Sequence, residues 1–565
     1  MLNLIHEFPS NQQKMFLALK QYQSDLSSGA IIAVAFDTET TGLHPVEDKP
    51  FLYQFGYYTT NGSGYVWTVD LERQPILGVY FIQAINRLNT KAPIVLGHHV
   101  VFDLHMLKNI GAEVTDFHNF SDTQFYIRAS SNAVQTDKGG EPLALKDWAV
   151  RHINPQANQY EKELKKMRTM AAQKLNNQLL MATMMKKKDF DAFFKDKTND
   201  WTMLSPNIRD KYKEWHDHLP EYLKPIITGT VDSDDIRYDT LPRDAVAEYA
   251  AYDIDWTLNC YELTHEIAEL RGGMVQIGFE NQQIPWLFEM ERVGFLVDKN
   301  YLMESKAKTR DYLLRRRADL KLLAHDDITA SQNQRIVLAL AQMGVVVEAA
   351  NKEVLQLKLE DIQNDERYAD AAEFIQTVLE VRHLEKFYST YICRFEKQLT
   401  KSDRIYTSIN QVQAVTGRVS CDFQQFPKEG ITDMDGNSLF NPRQMVIAPE
   451  GKALIYLDYS AQELRTQALW TLLIGHPDYN LLRAYCPWQC HRADGTQYDP
   501  ANPEHVAAWN DGSWLNDSDN QPWTKTDPHA ETTKAILRLL GKEEIINDPE
   551  QFHLWRYKGK TVNFA

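Results

Sequence analysis

The chain has 565 residues and a net charge of -16, with 43% hydrophobic and 24% charged residues. A single hydrophobic core rarely grows beyond about 250–300 residues, so several domains are expected. The composition is that of a globular protein, and no apolar run of about 18 residues or leader pattern indicates a membrane or secreted class. We therefore expect a cytoplasmic protein without a membrane partner, and the acidic charge argues weakly against binding nucleic acid.

Residues 1–275 predict an α/β domain with a central sheet. The stretches "GAIIAVAFDTETTGL" and "APIVLGHHVVFDLHMLKNI" both begin as buried, β-branched strands and lead into a turn or a helix. A long helix is predicted for "LPRDAVAEYAAYDIDWTLNCYELTHEIAEL", with Pro242 near its start. Between these segments, residues 155–225 are rich in Lys, Met and Gln and predict a helical insertion.

Two basic runs interrupt the acidic background. Residues 161–188 hold eight Lys or Arg against two acids, and residues 306–317 hold six against one. Such runs are most often solvated helix faces. They become a track for phosphates only where other residues bring DNA close.

Four carboxylates follow apolar elements of the first region. Asp37 and Glu39 stand two apart at a strand end, so both leave the same face of the sheet. Asp103 follows the second strand, and Tyr249 and Asp253 are four apart on one helix face. Each alone is more often structural. Together they could hold two Mg²⁺ or Mn²⁺ ions about 3.5–4 Å apart, a clamp for in-line displacement at phosphorus, with Tyr249 orienting the attacking water.

The order D-x-E, F-D, Y-x-x-x-D resembles the DEDDy class of 3'-to-5' exonucleases, the proofreading domains of DNA polymerases. The resemblance implies a ribonuclease H-like fold, two metal ions and single-stranded DNA 3' ends as substrate. His99 departs from the pattern because it stands where the family generally has Asn. We expect this change to alter substrate positioning more than metal binding.

The rest of the chain is similar to family A polymerases of the bacterial DNA polymerase I type. The motifs that carry this resemblance are, in order, "EMERVGFLVD", "EVRHLEKFYSTY", "TGRVS", "FQQFP", "NPRQMVIAPEG", "DYSAQELR" and "RYKGKTVNF". The resemblance implies a right-hand polymerase, with a helical thumb and connecting region over residues 276–410. An incomplete palm and the start of the fingers would cover residues 411–565, with a Trp-rich insertion at about 485–526. Primer-template DNA and dNTPs would be its substrates.

The resemblance also assigns individual residues of the polymerase region. Asp458, expected at the end of a strand in "KALIYLD", resembles the first palm metal ligand, and Glu463 resembles the residue that rejects a ribose 2'-OH. Ala461 departs from the family, which usually has Gln there, and this puts one contact in doubt. The residues implied to contact primer-template DNA are Arg382, Lys386, Thr390, Arg418, Gln424 and Gln425.

Arg556, Lys560 and Phe564 form a stripe on one helical face, spaced four and four. Two cations one turn apart suit a triphosphate, and an aromatic ring on the next turn suits stacking on a nucleoside. Basic stripes are usually solvated faces. The resemblance identifies this one with the fingers helix that binds the incoming nucleotide.

The Tyr-Gly and His-Asp-Glu motifs that follow the fingers helix in the family are absent from the sequence. "AHDDI" at residues 324–328 precedes "DYSAQELR" and cannot replace them. We therefore expect the N-terminal part of a split or truncated phage-type polymerase, completed by a second polypeptide through docking or intein ligation. Two alternatives stay open: a free-standing exonuclease with a DNA-binding polymerase remnant, and a non-enzymatic DNA-binding scaffold.

Overall fold

The computed structural model describes residues 1–112, 118–131, 140–196, 198–199, 201–227, 229–399, 402–427, 429–459, 461–476, 499, 502–510 and 528–564. The chain forms two compact units, Met1–Ala453 and Leu454–Ala565. The Trp-rich insertion expected at 485–526 lies almost entirely outside the described residues. None of the described helices combines the length and apolar character that crossing a bilayer requires.

A six-stranded mixed sheet lies at the centre of the first unit, in the spatial order β1-β4-β3-β2-β5-β6. Its strands are β1 (Asn3–Glu7), β2 (Ile31–Thr40), β3 (Pro50–Thr59), β4 (Ser63–Asp70), β5 (Val95–Gly97) and β6 (Phe120–Asp122). β3 runs antiparallel to β2 and β4, and the other pairs are parallel. β2 and β3 are buried along almost their whole length, as expected for central strands covered on both faces.

The helices of this region either pack on the sheet or form an insertion beside it. They are α1 (Gln12–Ser27), α2 (Pro75–Asn89), α3 (Val100–Asn109), α4 (Thr123–Ser130), α5 (Leu145–His152), α6 (Gln159–Thr183), α7 (Lys187–Lys195), α8 (Pro206–Asp217) and α9 (Arg243–Leu270). The long helix α9 packs across β2, β3 and β4 through small and branched side chains such as Ala251 and Ile254, which are fully buried. Helices α6 and α8 pack together around a smaller core that includes Tyr212 and Trp215.

A helical region with its own hydrophobic core follows in the same unit. It comes after α10 (Met274–Val293), which packs on α3 and α4 as part of the first core. Its elements are α11 (Lys299–Ala324), α12 (Asn333–Gln342), α13 (Lys352–Ile362), α14 (Ala369–Phe387) and α15 (Cys393–Gln398), with β7 (Phe295–Leu296), β8 (Arg404–Ile405), β9 (Ile431–Thr432) and β10 (Ser438–Phe440). α11 packs along α14, and α14 continues through a π-helical turn at Tyr388–Ile392 into α15. This sequence of an α/β domain and a helical region confirms the expected fold class.

The second unit contains α16 (Gln462–Leu473), α17 (Pro503–Asn510), α18 (Pro528–Leu539) and α19 (Pro549–Phe564). The strand expected before Asp458 does not form: residues 452–459 have no regular structure. Their large side chains, from Leu454 to Leu457, are 61–87% exposed. A strand needs a hydrogen-bonded neighbour, and none of the described segments pairs with this one. The prediction of a strand here was therefore wrong for this structure, although the apolar alternation is present in the sequence.

Candidate metal centre and nucleic-acid interface

Three of the predicted carboxylates converge where β2 meets α9. Asp37 and Glu39 leave the same face of β2, and Asp253 projects from the helix that crosses it. Their ligand oxygens all lie within 4.8 Å of one another, the only such group of acids, Cys or His among the described residues. Asp253 is 4% exposed and Glu39 is 8% exposed, so this cluster is withdrawn from bulk water.

Asp103, in the first turn of α3, lies beside the cluster. Its carboxylate accepts a 2.6 Å hydrogen bond from Thr38 Oγ1, and Thr38 leaves the face of the strand opposite to Asp37. The Asp103 carboxylate is close enough to help raise the pKa of Asp37. The structure therefore brings Asp103 to the site, but outside the group of three.

Burial makes all four carboxylates weak acids in the metal-free protein. Burial first, and then repulsion from Asp253, raises the pKa of Glu39 to about 8. Burial raises the pKa of Asp103 to about 7, against the opposing hydrogen bond from Thr38. The pKa values of Asp37 and Asp253 are raised by burial as well.

The donor set fits a hard divalent cation. It consists of carboxylate oxygens, which Mg²⁺ and Mn²⁺ prefer over nitrogen and sulfur. Asp253 Oδ1 is buried and has no hydrogen-bond partner among the described residues, so one oxygen of this carboxylate is left for a cation. A bound cation would also reduce the repulsion from neighbouring carboxylates that, after burial, raises the pKa of Asp37.

Lys146, which we did not predict, lies in the same site. It belongs to the first turn of α5, and its Nζ lies 3.0 Å from Asp253 Oδ2 and 4.6 Å from the centre of the Tyr249 ring. Burial lowers its pKa, but Asp253, Glu39 and Asp37 outweigh burial, and its pKa is raised. The sequence offers no signal for this position, because "LALKDW" reads as an ordinary amphipathic helix start.

Tyr249 lies one turn before Asp253 on α9, as predicted. The side chain is only 6% exposed. Burial, followed by the charges of Asp253 and Glu39, raises the pKa of Tyr249 well above its ordinary value. The phenol therefore stays protonated at neutral pH and can act as a hydrogen-bonding group.

His99 caps the N-terminus of α3 in the left-handed backbone region, with φ 66° and ψ 48°. Asn and His adopt this region more readily than most residues. The conformation explains why His99 can stand where the related exonucleases generally have Asn. Whether the substitution changes substrate positioning stays a prediction.

The residues predicted for nucleotide binding lie in the second unit. Asp458 is in the irregular segment 452–459, and Glu463 is in the first turn of α16. Ala461 precedes that helix in the left-handed region, with φ 52°. Arg556 lies on α19, as do Lys560 and Phe564, whose side chains are outside the described part of the structure.

The residues predicted to contact DNA fall into two classes. Lys386 and Thr390 are exposed, Thr390 within the π-helical turn. Arg382 is committed elsewhere: its Nε donates to Ala330 O at 2.7 Å, and its other nitrogens donate to Ala350 O and Asn333 Oδ1. Its guanidinium therefore ties together loops of the helical region, and its contact with DNA stays a prediction.

The loop predicted to follow the primer-template is folded back on itself. Arg418 is exposed, and the Gln424 amide donates to Val419 O at 3.0 Å. The Gln425 side chain lies outside the described residues. An isolated antiparallel bridge between Asn410 and Ser420 closes the base of this loop.

Much of the basic run at residues 306–317 is paired with acids. Arg317 binds Asp196 and Glu385, each through a nitrogen–oxygen distance of 2.7–2.8 Å. Lys306 pairs with Glu396, and Arg316 pairs with Glu380. These cations stabilise contacts between helices. Their pairing gives no support to a role in binding DNA phosphates.

Two family models match the chain. One, described as DNA polymerase family A, covers residues 300–478, and the other, described as 3'-5' exonuclease, covers residues 10–186. The second match ends before Tyr249 and Asp253. The tertiary structure is what brings Asp253 to Asp37 and Glu39.

Curated relatives are DNA polymerases. The chain is 26% identical over 279 residues to DNA polymerase I of Pseudomonas aeruginosa, covering 47% of this chain and 30% of that protein. It is 25% identical over 244 residues to a DNA polymerase of Mycobacterium phage L5, covering 42% of this chain and 38% of that protein. The chain thus spans less than two thirds of the length of these relatives.

Among solved structures, the fold is similar to that of the POL domain of Pol1 from M. smegmatis in complex with DNA primer-template and dNTP. The TM-score is 0.50 at 13% identity, over 98% of this chain and 77% of that chain. An identity this low shows a likeness of fold alone. From the two family models, in chain order, and the relatives of the same kind, we conclude that the chain carries a 3'-5' exonuclease domain followed by a region of DNA polymerase family A.

Proposed function

We propose that this chain is a DNA-directed DNA polymerase of family A with a 3'-5' proofreading exonuclease, acting in DNA replication. The buried group of Asp37, Glu39 and Asp253, within the region of the exonuclease, is the observation that supports this most directly. Its substrates would be single-stranded DNA 3' ends at the exonuclease site, and primer-template DNA with dNTPs at the polymerase site.

The exonuclease would use two divalent ions, Mg²⁺ or Mn²⁺, held by the four carboxylates. Bound there, the ions would activate the attacking water and neutralise charge on the phosphate. Asp37, Glu39 and Asp253 supply the oxygens already within ligand distance of one another. Asp103, held by Thr38, would complete the set.

The chain's own hydrogen-bonding groups would orient the reactants. Tyr249 keeps its proton, because its pKa is raised by burial and by Asp253, and it can therefore position water without acting as the base. Lys146 opposes the rise that burial causes in the pKa of Asp253 and fixes the orientation of its carboxylate. Both side chains are buried in place before substrate binds. They would therefore stabilise the geometry of the reacting groups without having to reorganise.

For the polymerase reaction, we propose Asp458 as a metal ligand and Glu463 and Arg556 as contacts to the incoming nucleotide, with Lys560 and Phe564 on the same helix. Lys386, Thr390 and Arg418 would contact DNA. These roles rest on the motifs, and the exposed positions of Lys386 and Arg418 are compatible with them.

A single assay tests both activities. A primer labelled at its 5' end and annealed to a template is incubated with Mg²⁺, with and without dNTPs, using the chain alone and then mixed with a candidate second polypeptide. We expect degradation by the chain alone. Full degradation by an Asp37→Ala variant would make the exonuclease assignment wrong. The second polypeptide stays a prediction from the sequence, and efficient extension by the chain alone would contradict it.

A free-standing exonuclease with a DNA-binding polymerase remnant is the second candidate. The exposed, irregular segment that carries Asp458 favours it. If the chain is part of a polymerase, a mixture with the right second polypeptide extends the primer, and Asp458→Ala abolishes this extension. If the chain is a free-standing exonuclease, no mixture extends the primer.

A further inference from the structure

A cavity of about 520 Å³ lies on the same face of the sheet as the carboxylates. Its floor includes Leu52 of β3 and Thr68 and Asp70 of β4, and α9 forms one wall through Ala251 and Tyr252. The cavity is thus separated from the metal centre by part of the sheet that α9 covers.

A row of polar side chains crosses the sheet between the two places. Asp37 of β2 is directly opposite Gln54 of β3, and Gln54 is directly opposite Thr68 of β4. Residues paired in this way share one face of the sheet, and neighbouring strands lie about 4.8 Å apart, so the row spans about 10 Å. A side chain added at Gly56, two residues after Gln54, would meet Ile254 of α9, which confirms that the row lies beneath this helix.

The middle of the row is buried without hydrogen bonds. Gln54 is 0% exposed, and neither its amide nitrogen nor its amide oxygen has a partner among the described residues. Thr68 is 4% exposed, lines the cavity, and its hydroxyl likewise has no partner in that part of the chain. Buried polar groups almost always bind protein or ordered water, because a missing hydrogen bond is costly.

We propose that ordered water fills the cavity as far as Thr68 and continues past Gln54 to Asp37, forming an internal water route to the metal centre. Thr68 can donate and accept, and the Gln54 amide offers both donors and acceptors, so each can bridge two waters. If no water reached this row, apolar side chains at positions 54 and 68 would stabilise the packing under α9 more than Gln54 and Thr68 do.

This inference rests on the proposed function, because hydrolysis gives the route its use. In each turnover the oxygen of one water bonds to phosphorus as the bond to the 3' oxygen breaks. One proton of that water ends on the leaving 3' oxygen, and the other is released from the new phosphate. The route would exchange water and this released proton while DNA covers the site.

The kinetic test uses two nearly isosteric substitutions, Gln54→Leu and Thr68→Val, in the full chain. The matched control is Thr309→Val, which removes another fully buried hydroxyl without a partner, in the helical region. We expect exonuclease kcat to fall about tenfold in both variants with KM unchanged, the low end for outer partners of a metal site. The control keeps the kcat of the original chain. Retention of that kcat by both variants would overturn the proposal.

Urea unfolding without metal gives a readout that does not need activity. If the Gln54 amide is dry and unsatisfied, Gln54→Leu removes a penalty and raises the unfolding midpoint. If the amide is hydrated, as we infer, the midpoint stays the same or falls. A clear rise would therefore overturn the water route. An original chain that degrades no DNA would contradict the proposed exonuclease instead, and the unfolding result would still decide the inference.

Discussion

Two carboxylate sites of this chain are held in opposite ways. Asp37, Glu39 and Asp253 lie on β2 and α9, elements that pack in the interior of one compact unit. Asp458 stands in an irregular, exposed segment of the other unit, after side chains that are 61–87% exposed. A site assembled by a finished core has its geometry and its pKa shifts before any ligand arrives. Asp458 is identified by its motif alone, because no packed core surrounds it in the described part of the chain.

The comparison is tested most severely by removing one acid from each site. We expect Asp37→Ala to lower exonuclease kcat/KM by about 10³-fold, or ~4 kcal/mol, because it removes a ligand from the assembled site. Asp458→Ala should leave this activity unchanged. Release of 3'-terminal nucleotides from labelled single-stranded DNA is the measurement. Equal losses in the two variants would show that the sites are not independent.

The buried acids also predict how stability depends on pH. Glu39 has a pKa of about 8 in the folded protein against an ordinary 4.5, and Asp103 has about 7 against 3.8. A raised folded pKa means that the stabilisation is complete below about pH 4.5 and is lost as pH rises through 8. We expect the unfolding free energy of the metal-free protein to fall steadily as pH rises over this window, measured by urea unfolding.

Glu39→Gln is the matched control for this dependence, because it removes the titrating group and keeps the shape. The slope should flatten in this variant. Mg²⁺ should stabilise the original chain more at pH 8 than at pH 5, since metal binding displaces protons from its ligands. A metal-free stability that rises across the window would contradict the assignment of these pKa shifts.

Substitution of Lys146 tests whether the site of Asp37, Glu39 and Asp253 depends on the positive charge that the protein itself supplies. Lys146→Met leaves the buried Asp253 without its ion pair, so we expect the metal-free protein to lose about 2 kcal/mol, less than for a fully buried pair because Lys146 is 23% exposed. Urea unfolding without metal measures the loss. Lys146→Arg should recover part of it, and saturating Mg²⁺ should reduce the difference. An unchanged midpoint would mean that the pair contributes nothing.

The smallest expected effect separates two neighbours on α14. Arg382→Met removes charge-assisted bonds to Ala330 O and Asn333 Oδ1, and we expect a loss of about 1.5 kcal/mol in unfolding free energy. Lys386→Met should leave stability unchanged because Lys386 is exposed. If Lys386 contacts a phosphate, its loss should lower the salt dependence of DNA binding by about one unit of slope. Reversed behaviour of the two variants would restore Arg382 as a DNA contact.

Local pattern was enough to predict much of the first region. Asp37 and Glu39 had to share a face because strand side chains alternate, and Tyr249 and Asp253 had to share one because a helix repeats every 3.6 residues. The apolar strands before Asp37 and Asp103 pair as neighbours, β2 and β5, at the centre of the sheet. The order of these acids also carried the family resemblance.

Local pattern failed where the deciding partner is distant in sequence. Nothing near Lys146 indicates that it meets Asp253, 107 residues away. The motif around Arg382 predicted a DNA contact, and it gave no sign of the hydrogen bonds that Arg382 donates to the loops at Ala330 and Ala350. The apolar alternation before Asp458 predicted a strand, but a strand also needs a neighbour to accept its hydrogen bonds.

By itself, the sequence determined which face of each strand or helix carries the acids, and the order of its motifs carried the resemblance to exonucleases and polymerases. Only the tertiary structure decided which of those faces meet, since contacts between β2, α5 and α9 depend on how the core packs around them. Burial and pKa shifts arise from that packing, so Glu39 and Asp103 became weak acids only once α9 and α3 closed around β2.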